Sequence, residues 1–346
     1  MTADAAVGGE TNEAIHIIRA YIDTRKYERA REIAQRYLSA NPNDPDLLAH
    51  YAQTELLLKS YASAAQSAYA ALSIAPDDEL AMRIYALALD GLGRRYDALW
   101  VAWRAVIAHP NEPLEHYVYA RLLYQGRQLC SALQAIDESL RLDPTYVDAL
   151  VLRGVILNGL GRIDESTAVY REVLSLDSTN AEAVNNIAVN RLKRGKFRRA
   201  LRGFLGAAGL DPSLGDLARR NIGLALARAT RRLTAIATIV GWTVTSVGND
   251  HSYGEPTAAN RVVSGIATTA LIVLLARLLR EIPRRVLVSV LRDRTIAAAR
   301  VFHALVAAVC GTWATVFDGS RWIIAPGLMV MFAGLLLFAI GLRTRT

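Results

Sequence analysis

A 34-residue period organises the first two thirds of this sequence. The segments SANP, SIAP, IAHP, RLDP, SLDS and GLDP end 34 residues apart, at Pro42, Pro76, Pro110, Pro144, Ser178 and Pro212. Small residues stand twelve positions before these landmarks, at Ala30, Ala64, Ala98, Ala132, Ser166 and Ala200. A second small set stands twenty-four positions before, at Ala52, Ala86, Ala120, Gly154 and Ala188. Small side chains let two helices cross closely and proline ends a helix, so the period predicts stacked helix pairs.

This pattern resembles the tetratricopeptide repeat. The segment YVDALVLRGVILNGLGRIDESTAVYREVLSLD shows the similarity, with family residue types at Gly154, Gly161, Tyr170, Leu174 and Leu176. The predicted solenoid covers residues 1–214, and its six repeats begin at about residue 11. The segment SLGDLARRNIGLALARATRRL, at 213–233, resembles the helix that covers the last apolar face of such arrays. The resemblance implies an all-α fold, with a capping helix and juxtamembrane linker at 215–232.

The family resemblance also implies a concave groove, lined mainly by the first helix of each repeat, that receives a peptide or a partner helix. The positions that face this groove in the family map onto Arg19, Gln53, Arg83, Tyr117, Arg121, Tyr124, Asn158 and Asn185. Arginine can fork onto a carboxylate and tyrosine offers flat contact at little entropy cost, so an acidic partner segment is expected. The alternative interpretation is an ordinary solvated helix face. The Lys/Asn/Arg set that clamps chaperone tails in this family is absent here.

Four apolar runs follow, at 233–247, 262–279, 301–317 and 322–342. The last run has no charge across about 20 residues, the length that spans a bilayer core. The second and third can be extended at their ends, and the first is short and rich in threonine. Buried helices of a soluble domain are the alternative for each. The prediction is a transmembrane region of about four spans over residues 233–346.

Charge is distributed unevenly along the chain. Residues 1–214 hold 24 Lys+Arg against 26 Asp+Glu, net −2, and the remainder holds 16 against 6, net +10, which sum to the +8 of the whole chain. The C-terminal arginines alternate with nearly uncharged loops, as the positive-inside rule expects for spans with both chain ends in the cytoplasm. In the basic loop between the second and third runs, the arginines expected to contact anionic lipid are Arg277, Arg280, Arg284, Arg285 and Arg292.

These features predict a non-catalytic, membrane-anchored scaffold that binds a protein or peptide in a cytoplasmic groove. No phosphate-binding loop, dinucleotide fingerprint, zinc-protease helix or nucleophile elbow occurs, and we expect no catalytic residue, cofactor or metal. The excess of Arg over Lys, 36 to 4, indicates a bacterial source and a plasma membrane. One alternative is a transporter or enzyme component whose active part is the bundle, which requires polar groups converging between spans. The other, nucleic-acid binding through the basic third, requires a soluble basic domain.

Overall fold

A computed structural model describes residues 2–253, 258–281, 287, 288, 292, 294–316 and 321–343. Every regular element within these residues is helical. Twelve helices form six pairs, at Thr2–Asp23 (α1), Tyr27–Ala40 (α2), Pro45–Leu57 (α3), Tyr61–Ile74 (α4), Glu79–Gly91 (α5), Arg95–Ala108 (α6), Pro113–Gln125 (α7), Leu129–Leu142 (α8), Val147–Gly159 (α9), Ile163–Leu176 (α10), Ala181–Lys193 (α11) and Phe197–Leu210 (α12). Four further helices follow, at Gly215–Tyr253 (α13), Ala258–Glu281 (α14), Thr295–Val316 (α15) and Ile324–Arg343 (α16).

The first helices from α3 to α11 start 34 residues apart, and so do the second helices from α2 to α12, so the predicted register is confirmed. Several first helices begin at a side-chain cap: Asp44 accepts a hydrogen bond from the Leu47 amide at 3.0 Å, and Asp78 accepts one from the Ala81 amide at 2.6 Å. Such caps satisfy amides that have no partner inside the helix. The second helices end before the proline landmarks, at Ala40, Ile74, Ala108, Leu142, Leu176 and Leu210.

The chain divides into two compact units, Met1–Leu176 and Asp177–Thr346. In the first unit, each first helix packs against the second helix of its own pair and against neighbouring pairs. The small residues lie at these crossings: Ala52, Ala64, Ala86, Ala98, Ala120 and Ala132 have no exposed surface. At the crossing of α9 and α10, a Cβ added to Gly154 would lie 2.5 Å from the Tyr170 ring, so only glycine fits there.

A left-handed residue connects the two helices of each pair, and these residues also recur every 34 positions. They are Arg25, Lys59, Gly93, Arg127, Gly161 and Gly195, with φ from 57° to 79°. Glycine adopts this conformation at no steric cost, whereas a residue with a side chain is strained there. Three of the six turns therefore use the favourable residue, and the packing of the flanking helices holds the other three.

The second unit is built around α13, which is 39 residues long and contacts α12, α14, α15 and α16. One continuous core runs from Ala188, Ala200 and Phe204 of the last pair through Ala225, Val240 and Val247 of α13 to Val330 of α16. The segment expected to cap the array and the first apolar run are thus parts of one helix. The division between the units at 176 and 177 lies before the predicted domain end at 214.

The predicted number of four membrane spans is too high. Two helices are long and apolar enough to cross a membrane, Ala258–Arg280 and Thr295–Val316, and a shorter apolar helix covers Ile324–Ile340. The run at 233–247 does not qualify within the described residues, because threonines and glycines dilute its apolar character. Its Ala237, Val240, Val244 and Val247 have no exposed surface, and they contribute to the centre of the core. Length and composition therefore support two to three spanning helices.

We expect the tight crossing in the third pair to control the stability of the first unit. Ala98 is fully buried, whereas Ala108, on the same helix, is exposed. Ala98→Trp in a protein of residues 1–176 should lower the free energy of unfolding by about 1–3 kcal/mol, because overpacking moves two helices apart. Ala108→Trp should change it by less than about 0.5 kcal/mol. Urea unfolding followed by circular dichroism measures both, and equal losses would contradict the packing described here.

Candidate functional site

Arg19 pairs with a buried histidine of the next repeat. Its Nε lies 2.9 Å from Nε2 of His50 in α3, and Nδ1 of His50 lies 2.8 Å from the Asp46 carbonyl oxygen. Since an arginine can only donate, His50 accepts on Nε2 and carries its proton on Nδ1. Burial lowers the pKa of His50, the Asp46 carbonyl opposes this shift, and the charge of Arg19 adds to it. Arg19 is therefore held in place by a neutral histidine.

Arg83 is held by two carboxylates. It donates to Glu79 of its own helix at 2.6 Å and to Glu115 of α7. The Glu115 side chain is only 1% exposed, and its Oε2 has no hydrogen-bond partner. Burial raises the pKa of Glu115, while the Arg83 charge opposes that shift. The pair connects α5 to α7 and neutralises much of the charge that the sequence assigned to partner binding.

Arg121 lies near a pair of tyrosines whose rings are in tilted contact. The rings of Tyr117 and Tyr146 are 5.3 Å apart between centroids and inclined at 51°. Burial raises the pKa of Tyr146 to about 12, and the nearby Arg83 and Arg121 charges oppose this shift. Arg121 is half-buried, and its Nε has no hydrogen-bond partner. This cluster combines a cation with two aromatic faces, which suits a carboxylate or the edge of a peptide.

The remaining predicted groove residues differ in exposure. Gln53 of α3, Tyr124 of α7 and Asn158 of α9 are half-buried within the first unit. Asn185 belongs to the second unit, where it is only 3% exposed and accepts a hydrogen bond from Asn221 of α13 at 3.0 Å. The side-chain oxygen of Asn185 therefore already accepts a hydrogen bond inside the protein. The groove prediction now depends on the polar residues of the first unit.

Two segments, residues 17–79 and 117–181, match the family model named "Tetratricopeptide repeat". Those two segments are tetratricopeptide repeats. Over 60 residues it is 38% identical to the TPR repeat-containing protein MJ0941 of Methanocaldococcus jannaschii, a match that covers 17% of this chain and 18% of that protein. The match therefore spans less than a fifth of the relative's length.

Solved TPR structures are similar to this chain over about half of its length or more. A tetratricopeptide repeat protein from Parabacteroides merdae has a TM-score of 0.48 at 18% identity, covering 62% of this chain and 90% of that one. YrrB, described as a TPR protein with an unusual peptide-binding site, has a TM-score of 0.41 at 18% identity, covering 52% and 92%.

Sequence reasoning missed three residues that contact the predicted groove residues: His50, Glu115 and Tyr146. His50 and Glu115 are buried polar side chains whose partners, Arg19 and Arg83, were predicted. A signal was available, because buried polar groups need a partner and each stands one repeat after an arginine, at separations of 31 and 32 residues. Tyr146 was missed because it precedes α9 and lies in the connection between two repeats.

An exposed aromatic stripe lies on α6, which is the second helix of its pair, whereas the predicted groove residues lie mainly on first helices. Tyr96, Trp100, Trp103 and Ile107 follow one helix face and are 89%, 56%, 45% and 59% exposed. The guanidinium of Arg104 stacks over Trp100, 5.1 Å from the ring centroid. Large apolar side chains exposed together mark interaction surfaces. The stripe is therefore a second candidate surface of the first unit.

The basic loop and the helical bundle are only partly described. Arg277, Arg280 and Arg292 are exposed, and Arg284 and Arg285 lie outside the described residues. Arg300 and His303 of α15 are buried, and they hydrogen-bond the carbonyls of Leu337 and Val330 at 3.0 and 2.7 Å. The bundle interior is thus more polar than the sequence indicated. No cluster of three or more His, Cys, Asp or Glu side chains that could hold a metal occurs in the described ranges.

Removal of Arg83 should destabilise the first unit strongly. Arg83→Met leaves the Glu115 carboxylate buried without a cation, which typically costs about 3–5 kcal/mol. Because the raised pKa favours the protonated form in the folded protein, the deficit should shrink as the pH falls towards the ordinary glutamate value. Adding Glu115→Gln to Arg83→Met should recover part of the loss at pH 7.

The matched control is Arg153→Met, which removes an exposed ion pair with Asp137 whose side chains are 29% and 48% exposed. Such pairs contribute about 0–1 kcal/mol. Urea unfolding of residues 1–176 at two pH values compares the variants. Equal small losses at Arg83 and Arg153 would show that Glu115 is not left as a buried charge.

Proposed function

We propose that this protein is a membrane-anchored scaffold without catalytic activity, which holds a protein or peptide partner in its TPR groove. The TPR fold is a protein-interaction fold, and the proposal adds the anchor, the groove and the partner's acidic character. The observation that carries the proposal is the cluster of Arg121, Tyr117 and Tyr146. There a half-buried cation and two aromatic rings lie on consecutive repeats.

The partner proposed for the groove is an acidic segment that contacts Arg121. Arg83 is held by Glu79 and Glu115, so an acidic partner would have to compete with two internal carboxylates for it. Arg121 forms no ion pair with a described carboxylate, and its charge acts on the nearby Tyr146 side chain. Electrostatic attraction would then fix the partner's register, and the tyrosines would supply contact area.

The surface of the second unit supports membrane anchoring. Its outer positions carry large apolar side chains, among them Val262, Ile266, Phe302, Val309, Met329 and Phe332, each at least 60% exposed. Its helix contacts use small residues: Cβ atoms added to Gly241 and Gly327 would meet the facing backbone at 2.7 and 2.9 Å. Large apolar groups outside and small groups between helices are the arrangement expected of a bundle surrounded by lipid.

The two ends of the bundle differ in chemistry. Trp242, Trp313 and Trp322 are 58%, 54% and 86% exposed, and the last two line one cavity with Val244 of α13. Arg228, Arg232 and Arg277 line a different cavity, near the other ends of the helices. Tryptophan prefers the bilayer interface, and arginine marks the cytoplasmic side. This asymmetry supports a plasma-membrane orientation in which the arginine end of the bundle, where α12 joins α13, is cytoplasmic.

The transporter alternative has less support. Arg300 and His303 are the polar groups that such a function would use, yet each donates a hydrogen bond to a carbonyl of α16. A side chain that bonds the backbone of a neighbouring helix holds two helices together. These contacts favour a packing role for both residues and leave partner binding as the proposed activity.

The proposed orientation can be tested by cysteine labelling on intact cells. Tyr253 and Val288 are 77% and 64% exposed and lie beyond opposite ends of α14, a helix long and apolar enough to cross a membrane. In a Cys130→Ser/Cys310→Ala background, an impermeant thiol reagent should label Tyr253→Cys, and it should label Val288→Cys only after permeabilisation. Labelling of Val288→Cys in intact cells would contradict the cytoplasmic position of that loop.

Partner binding can be tested by charge reversal at Arg121. Loss of a desolvated arginine–carboxylate contact typically costs about 2–5 kcal/mol, so Arg121→Glu should release an acidic partner captured from detergent-solubilised membranes. Partner retention by the wild-type protein should also weaken as salt rises. The control is Arg171→Glu, which reverses an exposed charge on α10, a second helix of its repeat. If both variants retain the same partner, the binding surface lies elsewhere, with the aromatic stripe of α6 as the next surface to change.

A further inference from the structure

A basic cavity lies within the second unit, where the last TPR pair meets the bundle. Its volume is about 440 Å³. Its cationic lining residues belong to α11, α12, α13 and α14, and they are Lys193, Arg198, Arg228, Arg232 and Arg277. Leu233, Leu274 and Leu278 form part of the apolar lining. We propose that this cavity binds the headgroup of an anionic phospholipid. The inference rests on the membrane placement proposed above.

The charges favour a phosphate ligand. No lining residue of the cavity carries a carboxylate. Within the described part of the chain, Arg228, Arg232 and Arg277 form no ion pair. Guanidinium groups bind phosphate oxygens in pairs of parallel hydrogen bonds, so converging arginines are suited to this anion. Lys196, Arg199 and Arg202 line an adjoining cavity and extend the positive surface.

The apolar wall distinguishes a lipid from a free phosphate. Leu274 is 39% exposed beside Arg277, and the exposed Val273, Ile272 and Ile266 continue along the same helix, α14. A phosphate seated among the arginines would therefore have an apolar surface beside it for an acyl chain. Basic pockets at the cytoplasmic ends of membrane helices bind anionic headgroups for the same reason.

The arginines of this cavity converge from different helices, unlike positive charges scattered over a surface. Arg228 and Arg232 are one turn apart on α13, where that helix passes from its polar to its apolar half, and Arg277 lies in the last turns of α14. Lys193 and Arg198 flank the left-handed Gly195, which turns the chain between α11 and α12 with φ of 73°. Charges that only set membrane orientation need no such convergence around one cavity.

The test measures lipid retained by the purified full-length protein in a non-ionic detergent. Phosphatidylglycerol or phosphatidylcholine is titrated, and native mass spectrometry gives the bound fraction. The pocket variant is Arg228→Gln/Arg232→Gln/Arg277→Gln. The control variant, Arg36→Gln/Arg171→Gln/Arg220→Gln, removes three exposed arginines that neither line the cavity nor belong to the basic loop. A third variant changes the pocket arginines to lysine, which keeps the charge but loses the paired hydrogen bonds.

Each arginine near an anionic headgroup contributes about fivefold in affinity, so the pocket variant should bind phosphatidylglycerol on the order of 100-fold more weakly. The control variant should lose far less, and the lysine variant should fall between the two. Equal losses in the pocket and control variants, or equal binding of phosphatidylcholine by the wild type, would overturn the proposal. Displacement of the lipid by millimolar inorganic phosphate or glycerol phosphate would also overturn it and assign the cavity to a free anion.

Cysteine labelling at Tyr253 and Val288 is repeated on the pocket and lysine variants. Unchanged labelling together with lost lipid would support the site. If labelling changes in the glutamine variant, the lysine variant decides the question. It keeps the positive charges that set the membrane orientation, so any loss of lipid in it reflects the lost paired hydrogen bonds. A failure of the membrane placement would appear in the labelling of the wild-type protein, independently of lipid retention.

Discussion

Close helix crossings through small residues are the constraint on which the repeat architecture depends. Ala64, Ala98 and Ala132 are fully buried at equivalent positions of three successive second helices. At the fifth crossing Gly154 supports the buried ring of Tyr170, whose bulk occupies the space that a side chain would need. Since each pair buries its apolar face only on its neighbours, an error at one crossing displaces the next pair as well. The 34-residue register of caps, turns and prolines follows from this packing.

Buried polar pairs connect neighbouring repeats at the predicted groove positions. Arg19 meets His50 and Arg83 meets Glu115, so in both cases an arginine of one repeat satisfies a buried side chain of the next. Leaving such groups unpaired would cost more free energy than the pair contributes. Two of the three predicted groove arginines, Arg19 and Arg83, therefore already have partners inside the protein. Arg121, beside Tyr117 and Tyr146, remains the cation best placed for a partner.

The second unit has an outer surface of a different kind. Exposed positions of its helices carry phenylalanine, valine and methionine, while glycine, alanine and threonine lie between the helices. In water, large apolar side chains would turn inward, so this distribution is consistent with a hydrocarbon surrounding. Arginines gather at one end of the bundle and tryptophans at the other. The anchor proposed for the scaffold and the lipid site proposed beside it depend on the same asymmetry.

The sequence by itself determined the repeat and its register, because caps, prolines and small crossing residues act over one or two helical turns and recur with a fixed period. It predicted the all-α fold and the buried positions at Ala98 and Gly154 correctly. Only the tertiary structure decided that the residues from 215 to 253 form one continuous helix, and that the apolar helices of spanning length number two to three. Likewise, the pairing of Arg83 with Glu115 and the convergence of Arg228, Arg232 and Arg277 join positions about 30 to 50 residues apart. Such contacts depend on how distant helices pack against each other, which no local pattern encodes.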